Sequence, residues 1–159
     1  MVNVGEKAPD FETVTESGEK FRLSSLRGRR VMLYFYPKDD TPGCTEEACS
    51  IRDSYNAFEG SDIPVFGISG GDAKSHQNFK KKYNLQFPLL MDEDFRIAKL
   101  FGVYGKKSMY GKQYMGIERT TFLIDKEGKV QGVFGPTGLE KVKTKEHANQ
   151  VIKFWGLRI

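Results

Sequence analysis

The sequence predicts an α/β fold, a central sheet flanked by helices, and three observations predict it. Short apolar runs of strand type alternate with segments of helical spacing along the first two thirds of the chain. Two further apolar runs near the C-terminus flank Lys126-Glu127-Gly128-Lys129, the composition of a hairpin turn. At 159 residues, 38% hydrophobic and 13% aromatic, the chain is long and apolar enough to bury one full core. Residues 1–159 are therefore expected to form a single domain.

In chain order, Phe11 to Val14 and Phe21 to Leu23 flank Glu16-Ser17-Gly18-Glu19, which reads as a small hairpin. Leu23 to Leu26 suits a short helical turn. Val31 to Tyr36 is an uninterrupted apolar run, the signature of a buried strand. A helix is expected from about Cys44 to Phe58. Ile63 to Ser69 is a second apolar strand, broken by Gly70-Gly71-Asp72, and a helix covers about Ser75 to Tyr83. Phe87 to Met91 is a strand whose proline, Pro88, places it near a sheet edge. Asp94 to Phe101 has Phe95, Ala98 and Phe101 at helical spacing, and Tyr104 to Met115 reads as a loop. Thr120 to Asp125 and Val130 to Phe134 form the C-terminal hairpin. Thr144 is the expected N-cap of a last helix through Trp155, and Gly156 its stop.

Charge and composition exclude several classes. The net charge of +4 comes from 25 basic and 21 acidic residues mixed along the chain. Lys80 to Lys82 and Lys141 to Lys145 are local basic clusters, read as solvated helix faces rather than a nucleic-acid surface. The longest apolar run is six residues, far short of a membrane span. The first residues lack a basic segment followed by an apolar one, so a cytoplasmic protein is expected.

The chemistry concentrates in Tyr36-Pro37-Lys38-Asp39-Asp40-Thr41-Pro42-Gly43-Cys44-Thr45-Glu46-Glu47-Ala48-Cys49, which holds both cysteines. Cys44 falls where the buried strand turns into a helix, at the positive end of the helix dipole, a position that favours the thiolate. Thr41 is placed to cap the helix or to face the sulfur. Pro37 and Pro42 stiffen the turn, and Gly43 lets backbone and ligand approach closely. The N–H groups of Gly43 and Cys44 lie at the helix start, free to bind an oxygen. Five residues of helix separate the two thiols by about 7.5 Å of rise, about 140° of rotation and about 8.5 Å between Cα atoms. A disulfide needs Cα atoms closer than about 7 Å, so the pair can bond only if the first turns unwind.

A structural staple is a weak alternative: so short a loop yields about 2 kcal/mol and breaks a helix. Zinc binding is another, since Cys-x4-Cys fits half of some sites, but His76 and His147 show no paired spacing. Each histidine alone reads as a surface or helix-packing residue. A thiol–disulfide oxidoreductase usually carries Cys-x-x-Cys, whereas four residues separate these thiols. A redox sensor using the same oxidisable pair stays open.

Pro37-x-x-x-Thr41-x-x-Cys44 resembles the active-site signature of peroxiredoxins. Thr41-Pro42-Gly43-Cys44-Thr45-x-Glu47-Ala48-Cys49-x-x-Arg52-Asp53 is similar to the Q-type branch, the bacterioferritin comigratory proteins. Gly5-x-x-Ala8-Pro9-Asp10-Phe11, Ser75-His76-x-x-Phe79, Tyr110 to Ile117 and Arg119-x-Thr121-Phe122-x-Ile124-Asp125 extend the likeness over nearly the whole chain. The resemblance implies a thioredoxin-like fold with an N-terminal hairpin extension. It implies reduction of hydrogen peroxide and organic hydroperoxides without metal or flavin. Cys44 would be the peroxidatic cysteine, Cys49 the resolving one, and Arg119 the arginine beside the peroxidatic sulfur. Thr41, Arg119 and the Gly43 backbone would hold the peroxide. A thioredoxin-like protein would reduce the disulfide, and an intramolecular resolving cysteine makes a monomer the default.

Overall fold

The computed structural model describes residues 1–158, the Met109 side chain excepted. A two-stranded antiparallel ribbon, β1 (Glu12–Val14) and β2 (Lys20–Arg22), leads through a 3-10 turn at Leu23–Leu26 into β3 (Val31–Phe35). Then come α1 (Pro42–Asp53), α2 (Tyr55–Gly60), β4 (Val65–Ser69), α3 (Ala73–Tyr83), β5 (Leu89–Met91) and α4 (Arg96–Phe101). The C-terminal part holds β6 (Tyr104–Met109), β7 (Lys112–Ile117), β8 (Thr120–Ile124), β9 (Val130–Phe134), a 3-10 turn at Thr144–Glu146 and α5 (His147–Trp155).

The main sheet is mixed, in the order β5-β4-β3-β8-β9. β3–β4 and β4–β5 are parallel, while β3–β8 and β8–β9 are antiparallel. β3, β4 and β8 are buried along their whole lengths, which is why they read as continuous apolar runs. Their side chains still alternate between two cores. Leu33, Phe35, Ile68 and Phe122 face α4 and the N-terminal ribbon. Met32, Tyr34, Val65 and Leu123 face α1, α2, α3 and α5, together with Cys44, Ala48 and Ile51. β5 is an edge strand, as its flanking proline demanded.

The β3–β8 register places the functional residues. Phe35 pairs with Thr120, so Arg119 sits beside the carboxyl end of β3, where the chain turns toward α1. Open α/β sheets bind ligands at this end of their strands.

Three expectations are corrected. The helix expected from Cys44 to Phe58 starts at Pro42 and breaks at Ser54, whose ψ of 17° leaves the helical range. Tyr104 to Met115 is not a loop but most of the β6–β7 hairpin, turned by Tyr110 and Gly111, both at positive φ (53° and 77°). Thr144 does not cap the last helix: it opens a 3-10 turn and its hydroxyl donates to Glu46 Oε1 at 3.0 Å. Gly156 ends α5 in the left-handed conformation, as expected.

Candidate active site

After Tyr36 the chain leaves the sheet and reaches α1 through Pro37–Thr41. Thr41 occupies the N-cap backbone position (φ −95°, ψ 156°) and Pro42 follows in the first turn, where its missing N–H costs nothing. The Thr41 hydroxyl does not cap the helix; it donates to the Lys38 carbonyl at 2.9 Å and so braces the turn. The Thr45 N–H bonds the Thr41 carbonyl at 2.8 Å. The N–H groups of Gly43 and Cys44 precede that bond and lie at the open end of the helix.

Cys44, in this first turn, is 1% exposed. Arg119 Nη2 donates to its sulfur at 3.4 Å and Nη1 donates to Glu47 Oε1 at 2.7 Å. Gly43 makes room for this: a Cβ there would lie 3.1 Å from Arg119 Nη2. Glu47, three residues after Cys44 and on the same helix face, is fully buried. Burial disfavours the Arg119 charge, but Glu47 and Cys44 outweigh that and hold it more firmly protonated than an ordinary arginine.

The second oxygen of Glu47 has no hydrogen-bond partner among the described residues and lies 3.6 Å from Nε2 of His147. His147 is itself fully buried, with Nε2 2.7 Å from the Thr121 hydroxyl and Nδ1 2.8 Å from Gln150 Oε1. The Gln150 amide nitrogen donates to Glu140 and to the Lys141 carbonyl, so its oxygen faces the ring and Nδ1 carries the proton. Tyr34 lies in the same core as Cys44; its burial, and then the charges of Glu47 and Cys44, push its phenol well above the ordinary range.

Cys49 is different. It is half-buried later in α1, and burial, opposed by Arg52, leaves its thiol above the usual value. Both thiols are free and share one intact helix. Beside the site, Lys107, Ser108, Glu118, Arg119, Gly135, Pro136, Lys141 and Val142 line a surface cleft.

The residues singled out in the sequence thus meet in part. Cys44, Gly43 and Arg119 touch; Thr41 and half-buried Pro37 shape the preceding turn; Cys49 stands apart. Sequence reasoning missed Glu47, although its spacing from Cys44 could have suggested it. Of the two readings given for each histidine, surface or helix packing, the second holds: both are fully buried on their helices and hydrogen-bonded. Among the described residues no group of three or more His, Cys, Asp or Glu side chains is placed to hold a metal ion.

Residues 4–133 match the AhpC/TSA family. The chain is 45% identical over 152 residues to peroxiredoxin Bcp of Bacillus subtilis, covering 96% of this chain and 94% of that one. It is 40% identical over 153 residues to peroxiredoxin Bcp of Escherichia coli, covering 96% and 95%. Among solved structures it is similar to a variant of Xanthomonas campestris peroxiredoxin Q (TM-score 0.86, 34% identity, 98% of each chain). It is also similar to peroxidoxin BcpB of Mycobacterium tuberculosis (TM-score 0.83, 33% identity, 100% of each chain).

Proposed function

Because this chain belongs to the AhpC/TSA family, among its Q-type peroxiredoxins, we propose that Cys44 is the peroxidatic and Cys49 the resolving cysteine of its peroxidase cycle. The protein is a thiol-dependent peroxidase on a thioredoxin-like fold. One observation carries the assignment: Arg119 bridges the Cys44 sulfur and the buried Glu47 carboxylate.

The Cys44 thiolate attacks the terminal oxygen of a hydroperoxide. An S–O bond forms, the O–O bond breaks, and the departing alkoxide takes a proton to leave as an alcohol, or as water from hydrogen peroxide. Arg119 and the helix-start N–H groups are aimed at the charge that grows on the peroxide oxygens. Cys44 becomes a sulfenic acid. The first turns of α1 then unwind, the Cys49 thiolate attacks Cys44, an S–S bond forms and the sulfenic oxygen leaves as water. A thioredoxin-type dithiol reduces this disulfide through two exchange steps. Hydrogen peroxide and organic hydroperoxides are the substrates in this reading. In support, alkyl peroxide reduction is the activity ascribed to the similar Xanthomonas campestris bacterioferritin comigratory protein. The chain works as one domain and as a cytoplasmic monomer. The match to a curated relative over nearly its whole length supports the single domain; among the described residues no helix is long and apolar enough to cross a membrane.

The test is peroxide-dependent NADPH oxidation by the pure protein with thioredoxin and its reductase. Sustained turnover that vanishes in Cys44→Ser is expected. A single stoichiometric oxidation without cycling would make the protein a sensor instead.

A further inference from the structure

The chain between β3 and α1 is fastened to α3 at two consecutive residues. Asp39 is buried, and its carboxylate accepts from the Tyr36 hydroxyl at 2.6 Å, the Ser75 hydroxyl at 2.7 Å and His76 Nδ1 at 2.6 Å. The other nitrogen of fully buried His76, Nε2, faces the Leu90 carbonyl at 3.1 Å. A carbonyl can only accept, so Nε2 carries a proton; the carboxylate at Nδ1 calls for a second. His76 is thus an imidazolium paired with the Asp39 carboxylate inside the protein. Burial alone pushes His76 down, but the Asp39 hydrogen bond and charge, helped by the backbone at Leu90 and Ser69, outweigh it and leave the imidazole above its ordinary value. Gly71 belongs to the same construction, because a Cβ there would lie 2.6 Å from Asp39 Oδ2.

Asp40 makes the second attachment. It holds a left-handed backbone (φ 56°), and its carboxylate accepts from Lys82 Nζ at 2.8 Å and the Tyr83 hydroxyl at 2.6 Å. The far end of α1 is held by the end of the same helix and the loop that follows it: Arg52 Nη1 donates to the Tyr83 carbonyl at 2.9 Å, and Gln86, three residues beyond α3, donates to the Arg52 carbonyl at 3.0 Å. Both thiols lie between these two attachments.

We propose that Asp39 and His76 are positioning residues of the thiol cycle: they pin the end of the catalytic loop to α3, so that oxidation unwinds α1 only from Thr41 onward. The inference rests on the Cys44–Cys49 cycle proposed above. The disulfide demands a large movement of Cys44, and a chain free to lift off α3 would have to find its place again at every turnover. A buried ion pair suits a fixed point, because separating its partners leaves an uncompensated charge in the core.

The experiment compares the reduced and disulfide forms of the wild-type protein by NMR. The disulfide is introduced with diamide and confirmed by the loss of two hydrogens in mass. The anchor is thereby tested even if peroxide leaves Cys44 untouched, an outcome that would defeat the peroxidase reading alone. Both ring N–H signals of His76 should be present and unshifted in both forms, while amides from Thr45 to Ile51 lose protection from exchange. Loss or displacement of the His76 ring signals on oxidation, or loss of amide protection in the first turns of α3, would overturn the proposal. His76→Gln gives a second reading. Peroxidase activity after reduction of its disulfide should return more slowly than in the wild type, by roughly tenfold or more. Recovery at the wild-type rate in a folded variant would also overturn it.

Discussion

Cys44 and Cys49 stand five residues apart on one helix, and the two turns that hold them could hardly differ more. The first turn is dry and charged: a 1% exposed sulfur, an arginine 3.4 Å away, and a fully buried carboxylate behind that arginine. The later turn is half-open, and its thiol is held above the usual value. A helix thus presents the same side chain in two chemical roles. Its N-terminal turn offers unpaired N–H groups and proximity to the strand ends, and the turns after it offer neither.

Arg119→Ala should blur the contrast most. Removing the donor at the Cys44 sulfur should slow the first oxidation by about 10²- to 10³-fold, the scale of losing one donor to developing charge. Stopped-flow oxidation of Cys44 measures it, and Arg119→Lys should recover only part, since a lysine cannot bridge sulfur and carboxylate together.

Glu47→Gln should follow. It leaves Arg119 beside the sulfur without its ionic partner, and the same rate should fall by about 10- to 100-fold, the scale of a hydrogen bond to a charged group. A rate within twofold of the wild type would show that Glu47 serves the fold rather than the site.

The Cys49 turn predicts a smaller, pH-dependent effect. In a Cys44→Ser background the helix stays wound, and alkylation of Cys49 should titrate above the ordinary thiol range because burial opposes its thiolate. Disulfide formation in the wild type requires unwinding and should follow a pKa nearer that of an exposed thiol. Identical pH profiles for the two reactions would mean that α1 does not open.

The smallest effect concerns stability. The His76 value is raised by its partner and Asp39 is lowered, even though burial acts against both charges. The stability that His76 contributes is complete below about pH 6.5, the ordinary histidine value, and is lost as pH rises through its raised value. The Asp39 contribution is present above about pH 3.9 and is lost as pH falls through its lowered value. Urea unfolding of the reduced protein should therefore show His76→Gln losing less, relative to wild type, at alkaline pH than near neutrality. The neighbours that share this titration are Asp39, the Tyr36 phenol, Ser75 and the backbone at Leu90 and Ser69.

The layers of the fold were legible because β3, β4 and β8 are buried on both faces and α4 presents one apolar stripe, features that leave local patterns. The β6–β7 hairpin was not, because β7 is exposed along most of its length and no alternation marks it. Cys44 was legible from its position between strand and helix. Arg119 was legible only through family resemblance, since the contact that defines it spans 75 residues of chain. The burial of His76 and His147 depends on partners 37 and 26 residues away, Asp39 and Thr121, which composition cannot reveal.

The most direct test of the two-thiol account is the intact mass of the protein after one equivalent of hydrogen peroxide, wild type beside Cys49→Ser. The wild type should lose two hydrogens and yield a peptide linking Cys44 to Cys49. The variant should gain one oxygen at Cys44, trappable by dimedone, and stop there. A wild type that keeps an oxygen on Cys44 without forming the disulfide would contradict the account, as would a variant that turns over fully with thioredoxin.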